Sequence, residues 1–193
     1  MNAPRKPKQL SMFKKVRRDY GGDLRKNKKN RGERPLASRQ TIHLVMRSTK
    51  ATGALSFTKH RALIRNFVES QSQKAGVKII SWANVGNHLH VHIQLPHLFR
   101  PSYKRFIRGL TGAIALRITG ANKNNRVVRE SKDRFWDRRP FTRVLTSWRE
   151  FANLRHYIVT NHFEGLGFDR EEANVRAYVK EAGEQMYSHA GDG

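Results

Sequence analysis

The sequence predicts an α+β fold: a split β-α-β antiparallel sheet with helices on one face and an additional C-terminal helix. Three observations predict it. Apolar spacing switches between strand and helix periods through the middle of the chain. One segment, His88 to Leu95, alternates strictly beside a Gly86-Asn87 turn, and the N-terminal stretch has no sustained period at all.

Met1 to about Pro35 is dominated by Lys, Arg, Asn and Gly, with scattered Leu10, Phe13 and Leu24, so residues 1–35 read as a basic flexible arm. Thr41 to Arg47 reads as a strand. Lys59 to Ala75 places Leu63, Ile64, Phe67 and Val68 on one helix face, and Gly76 ends that helix. Val77 to Asn84 is β-branched and aromatic, and pairs with His88 to Leu95 as a hairpin closed by Pro96. Tyr103 to Ile118 aligns Phe106, Ile107, Leu110, Ile114 and Leu116 as a helix face. The polar stretch Gly120 to Asp133 joins it to a strand expected from Phe135 to Leu145. Ser147 and Glu150 have capping-box spacing ahead of Phe151, Leu154 and Ile158, which starts a last helix bounded by Gly165 and Gly167. The order β-α-β-β-α-β is that of a ferredoxin-like sheet. It defines a domain over residues 36–170 with one sheet face open, followed by a helical tail over 171–193.

Composition narrows the chemistry. With 193 residues and 37% hydrophobic content, the chain can bury one modest core. Its 39 Lys plus Arg against 15 Asp plus Glu give a net charge of +24, which points to nucleic acid as partner. No long apolar segment or signal-peptide pattern is visible, so a membrane role is not expected and the chain reads as cytoplasmic. The absence of cysteine excludes disulfides, thiolate metal sites and a thiol nucleophile.

Alternation along the last hairpin strand sends Leu89, Val91, Ile93 and Leu95 to an apolar face, and His88, His90, His92 and Gln94 to the open one. Two imidazoles two residues apart project in parallel and can converge on a borderline divalent cation. An exposed polar strand face would carry the same pattern without any metal. Tyr157 is the tyrosine on a predicted helix with an amide, Asn161, one turn further along the same face. A surface tyrosine followed by a helix-capping asparagine is the simpler explanation of that pair taken alone.

Asn87-His88-Leu89-His90 resembles the HUH motif of single-tyrosine transposases. Phe135-Trp136-Asp137 resembles the aromatic-acidic segment of their REP-associated tyrosine transposase branch, and His156-Tyr157-Ile158-Val159-Thr160-Asn161 resembles its tyrosine helix. The likeness runs from about Arg39 to Phe168. Two positions depart from it: His92 stands where the family has an apolar residue, and His162 where it has proline. The first leaves His90 with His92 as an alternative ligand pair.

The resemblance implies a single-stranded DNA endonuclease or transposase that cuts and rejoins through a 5′-phosphotyrosine on Tyr157. It implies Mg²⁺ or Mn²⁺ held by His88, His90 and Asn161, and single-stranded or hairpin DNA as partner. It favours a monomer over a homodimer and places the protein at the nucleoid. A phenol, with an ordinary pKa of about 10, is a reasonable nucleophile beside a cation. Lys104, Arg105 and Arg108 after Pro101, and Arg134, Arg138, Arg139 and Arg143 around the last strand, are candidates for phosphate contact. Trp82, Trp136 and Trp148 can stack on bases or fill the core, and Trp148 is expected in the core. Two other functions fit the composition: a non-catalytic nucleic-acid-binding protein, and a metal-dependent nuclease that uses water.

Overall fold

The computed structural model describes residues 18–25, 33–97, 99–121 and 134–189. Most of the expected arm, most of the polar stretch from Gly120 to Asp133, and residues 190–193 of the tail lie outside them. The sheet has five strands: β1 (Asp19–Tyr20), β2 (Thr41–Arg47), β3 (Lys78–Asn84), β4 (His88–Gln94) and β5 (Phe141–Val144). Their order is β1-β5-β2-β4-β3 and every neighbouring pair is antiparallel. Four helices accompany it: α1 (Arg61–Ala75), α2 (Phe99–Thr119), α3 (Trp148–Glu164) and α4 (Arg170–His189). The expected ferredoxin-like arrangement is present, with β1 and α4 added at its ends.

Alternation decides the main core. Ile42, Leu44 and Met46 of β2 and Leu89, Val91 and Ile93 of β4 point to one face, where α1 brings Ile64 and Val68 and α2 brings Phe106, Leu110 and Ile114. All are at most 1% exposed, and each buried side chain of this size contributes roughly 1.5–3 kcal/mol. Gly76 ends α1 in the left-handed conformation, φ 63°, with the Val77 amide returning to the Ser72 carbonyl.

Four expectations are corrected. The strand expected from Phe135 to Leu145 pairs only over Phe141–Val144. Phe135 and Trp136 instead turn onto Phe57, with the Ser48 hydroxyl on the Phe135 carbonyl and Trp136 Nε1 donating to the Thr111 carbonyl at 3.0 Å. Pro140, which has no N–H to offer a ladder, precedes the pairing. Second, the expected arm contains a strand, because Asp19–Tyr20 pairs with Arg143 and Thr142. Gly21 permits that approach: at φ 85°, a Cβ there would lie 2.1 Å from the Pro140 carbonyl oxygen. Tyr20 is buried beneath the Arg34 guanidinium.

Third, the sheet face opposite α1 and α2 is only half open. Leu154 and Ile158 of α3 pack on Ala83 of β3 and on Leu145, which lays the helix over β3 and β4. At its end Gly165 meets the hairpin so closely that a Cβ would sit 2.1 Å from the Asn84 carbonyl oxygen. The second layer, α4, is tied to α3 by His156, which bonds Glu181 through Nδ1 and Asn174 through Nε2. Fourth, Trp148 is 76% exposed and stacks on Phe151 instead of entering the core, whereas Trp82 and Trp136 pack against it.

The capping box that starts α3 is half as expected. Ser147 Oγ accepts from the Glu150 amide at 3.2 Å, but the Glu150 carboxylate reaches past Ser147 to the Thr146 amide at 2.8 Å. Among the described residues, no helix is long and apolar enough to cross a membrane.

Candidate active site

Because β4 alternates, the side chains opposite its core residues all project toward α3, but that helix covers them unequally. His92 is completely buried under Phe151 of α3, ring centroids 4.9 Å apart, and its Nε2 lies 2.7 Å from Thr41 Oγ1. His90 is 5% exposed and His88 half-buried. Tyr157, two turns along α3 from Phe151, stands edge-on to His90 with centroids 5.2 Å apart and is itself 38% exposed. Tyrosine and imidazoles therefore meet at the margin of α3, where the covered half of the sheet gives way to the uncovered half.

The uncovered half belongs to β2 and β5. Val45 and Arg47 of β2 and Phe141 of β5 line a cavity of about 960 Å³, with Arg138, Arg139 and Leu24 also on its wall. Arg47 lies opposite His88 in the ladder and Val45 opposite His90, so cavity and imidazoles are neighbours on one sheet face. The aromatic-acidic segment fixes the cavity's edge: Asp137 Oδ1 accepts from the Thr49 amide at 2.8 Å and hydroxyl at 3.0 Å.

Burial sets the protonation of the cluster. It pushes His90 down to about 3, helped by His43 and His88, and His92 down to about 4. His43, on β2, is held at about 4 by burial first and then by His92 and Arg143. His88 is also lowered, by burial and by Arg47. All four imidazoles are therefore neutral near pH 7, the form in which a ring nitrogen can bind a cation.

The donor atoms suit such a cation. His88 Nδ1 lies 2.7 Å from Asn87 Oδ1; as the amide oxygen can only accept, Nδ1 carries the proton and Nε2 the lone pair. His90 Nε2 is buried with no hydrogen-bond partner among the described residues, and the rings of His88 and His90 are 4.8 Å apart. Asn161 is buried one turn beyond Tyr157, with its Nδ2 donating to the Tyr157 carbonyl at 2.6 Å. Among the described residues no hydrogen bond joins Asn161 to either imidazole, and no group of three or more His, Asp or Glu is arranged to hold a metal.

The other tyrosines stand elsewhere. Tyr103 is buried in the main core, where desolvation raises its phenol to about 12, Tyr20 lies beneath Arg34, and Tyr178 packs on His156. The side chain of Tyr187 lies outside the described residues.

The expected DNA contacts divide between two sides of the molecule. Lys104, Arg105 and Arg108 are exposed on α2, in the layer behind the sheet, and Arg105 caps α1 by donating to the Lys74 carbonyl at 3.2 Å. Arg138 and Arg139 line the cavity, with Arg138 within 3.5 Å of Asp23. Arg143 shares that face but is bound to Glu150 at 3.1 Å, and Arg134 is exposed just before the aromatic pair. Arg47 and His43 were not singled out by the sequence pattern. The alternation of Thr41–Arg47 carries their orientation, since apolar Ile42, Leu44 and Met46 leave His43, Val45 and Arg47 for the other face.

Comparison with known proteins adds four findings. The family described as Transposase IS200 like matches residues 37–161. Among curated proteins, none matches the chain. The solved structure of a REP-associated tyrosine transposase bound to a REP hairpin is similar over 70% of this chain and 73% of its own, with 15% identity and a TM-score of 0.50. A crystal structure of a candidate transposase from Deinococcus radiodurans R1 matches 70% of this chain and 98% of its own, with 16% identity and a TM-score of 0.41.

Proposed function

The chain belongs to the IS200-like transposase family, and from that membership we propose that it cuts and rejoins single-stranded DNA through Tyr157 in the manner of the REP-associated branch. The observation that carries the proposal is the stance of Tyr157, edge-on to His90, whose ladder partner Val45 lines an arginine-bearing cavity.

His88 and His90 would hold a cation, Mg²⁺ or Mn²⁺, through their Nε2 atoms, with the Asn161 carbonyl oxygen as a third ligand. The fully covered His92, bonded to Thr41, favours this pair over His90 with His92. When bound, the ion polarises a non-bridging phosphate oxygen and orients the phosphodiester for in-line displacement. The Tyr157 phenolic oxygen forms the new bond to phosphorus. The phosphorus–O3′ bond breaks, the 3′-oxygen gains a proton as the phenol loses one, and the 5′ end remains as an ester on Tyr157. Attack of another 3′-hydroxyl reverses the step, so rejoining needs no nucleotide cofactor. Arg47, Arg138 and Arg139 guide the strand across the cavity through its phosphates. The same chemistry fits a DNA single strand or the foot of a hairpin, in a protein that acts as a monomer at the nucleoid.

The test is denaturing electrophoresis after incubation with end-labelled single-stranded DNA and Mn²⁺. A band shifted by the mass of the protein is expected, absent with chelator and absent in Tyr157→Phe, which keeps the ring. Cleavage without an adduct would assign the reaction to water. DNA binding without cleavage would leave a non-catalytic binding protein.

A further inference from the structure

The geometry points to His43 of β2 as a positioning residue that holds His90 in the one tautomer able to bind a cation. The inference rests on His88 and His90 being the cation pair. His43 lies on the same sheet face as the β4 histidines, opposite His92 in the ladder. Its ring lies beside that of His90, with centroids 5.3 Å apart and planes 19° from parallel, and its Nε2 is 3.1 Å from His90 Nδ1. The rings of Phe141 and Tyr157 each meet His43 edge-on, with centroids 6.4 Å away, and limit its rotation.

A bond between two neutral imidazole nitrogens needs one N–H and one lone pair, so only two arrangements exist. If His43 Nε2–H donates, the His90 proton lies on Nε2, a buried atom with no partner among the described residues, where it is unsatisfied and blocks ligation. If His90 Nδ1–H donates instead, the unpaired atom is a lone pair, the form that can take a cation. The second arrangement leaves no buried donor without an acceptor on His90. It makes His43 Nε2 the acceptor that keeps the proton off the ligating nitrogen, the part a carbonyl or carboxylate plays beside many metal-bound histidines. His88 receives the equivalent help from Asn87 Oδ1, so each imidazole of the pair has its own orienting acceptor.

The metal-free protein can be tested directly. Side-chain ¹⁵N NMR on the wild-type protein at neutral pH should find His90 protonated at Nδ1. His43→Phe, which fills the space without an acceptor, should move that proton toward Nε2 and weaken Mn²⁺ binding by calorimetry roughly 10- to 100-fold. His43→Gln, whose amide oxygen can take the place of Nε2, should keep both near the wild-type state. An Nε2–H His90 in the wild-type protein overturns the inference, even if His43→Phe does not fold. Unchanged Mn²⁺ affinity in His43→Phe overturns it too. Equal loss in both variants would make His43 a ligand in its own right, which also overturns it. None of these measurements uses DNA, so a correct tautomer with no adduct would refute the proposed reaction alone, and an adduct with the wrong tautomer would refute this inference alone.

Discussion

On one side of β4, Leu89, Val91 and Ile93 are sealed under α1 and α2; on the other, His88, His90 and His92 face α3, and the seal fails progressively from His92 to His88. The two sides belong to the same seven residues and differ in what burial accomplishes. Burying the apolar side removes hydrocarbon from water and stabilises the fold. Burying the histidines costs solvation, keeps them neutral, and leaves nitrogens such as His90 Nε2 without partners among the described residues. The margin of α3 leaves His90 next to a phenol, and its ladder partner Val45 on the wall of the open cavity.

Truncating neighbours on the strand gives the largest separation. Leu89→Ala should lower stability by about 2–5 kcal/mol, because it leaves a void in a fully packed face, while the protein that remains folded still forms the adduct. His90→Ala should lose the adduct while costing much less stability. Urea denaturation and adduct yield measured on the same samples check both. A larger stability loss in His90→Ala than in Leu89→Ala would break the contrast between the faces.

A smaller effect sharpens the contrast between the open cavity and the far layer. Replacing Arg138 and Arg139 by Ala should reduce the salt dependence of single-strand binding, by about 0.7 in logarithmic slope for each phosphate that is no longer neutralised. The triple replacement of Lys104, Arg105 and Arg108 by Ala should leave it unchanged, since those residues sit behind the sheet. Affinities measured across a salt series decide this, and a shallower slope for the triple variant would place DNA on the helical side.

The smallest effect concerns the start of α3, which carries Tyr157 to the histidines. The Glu150 carboxyl is held at about 2, first by the Thr146 amide and then by Arg143, the Thr146 hydroxyl and Arg18, against a counteracting desolvation. A depressed carboxyl stabilises the fold fully above its ordinary value near 4.5, and that contribution fades as pH falls toward 2. Glu150→Gln should therefore cost about 1 kcal/mol at pH 7, as expected for a partly exposed ion pair. The gap from wild type should narrow steadily below pH 4.5. A gap that does not change with pH would mean that the Glu150 carboxyl is not depressed in the folded protein and that its charge contributes nothing to stability.

Several elements were legible because their signals are local. The Gly76 stop, the Ser147 cap, the hairpin at Gly86-Asn87 and the two faces of β4 follow from residues within a few positions of one another. The missed ones depend on distant partners. Asp19–Tyr20 carries no pattern of its own and becomes a strand because β5 offers it an edge. Phe135 and Trp136 have strong strand propensity, yet Phe57 and the Thr111 carbonyl draw them out of the ladder. In β3, a register irregularity between Ile79 and Ser81 puts Ile79 and Trp82 against the same core, which simple alternation would have separated.

By itself the sequence determined the two faces of β2 and β4, the stop of α1 and the start of α3, the excess of positive charge, and the absence of thiol chemistry. These are properties of backbone geometry over one or two turns, and neighbouring residues suffice to set them. Only the tertiary structure decided that α3 covers His92 completely and stops at His90, that His43 from another strand reaches His90, and that the cavity opens beside His88. Those outcomes depend on strand order and on the height at which α3 crosses the sheet. Contacts between residues 47 positions apart, such as His43 and His90, set them, and no local period encodes such a contact.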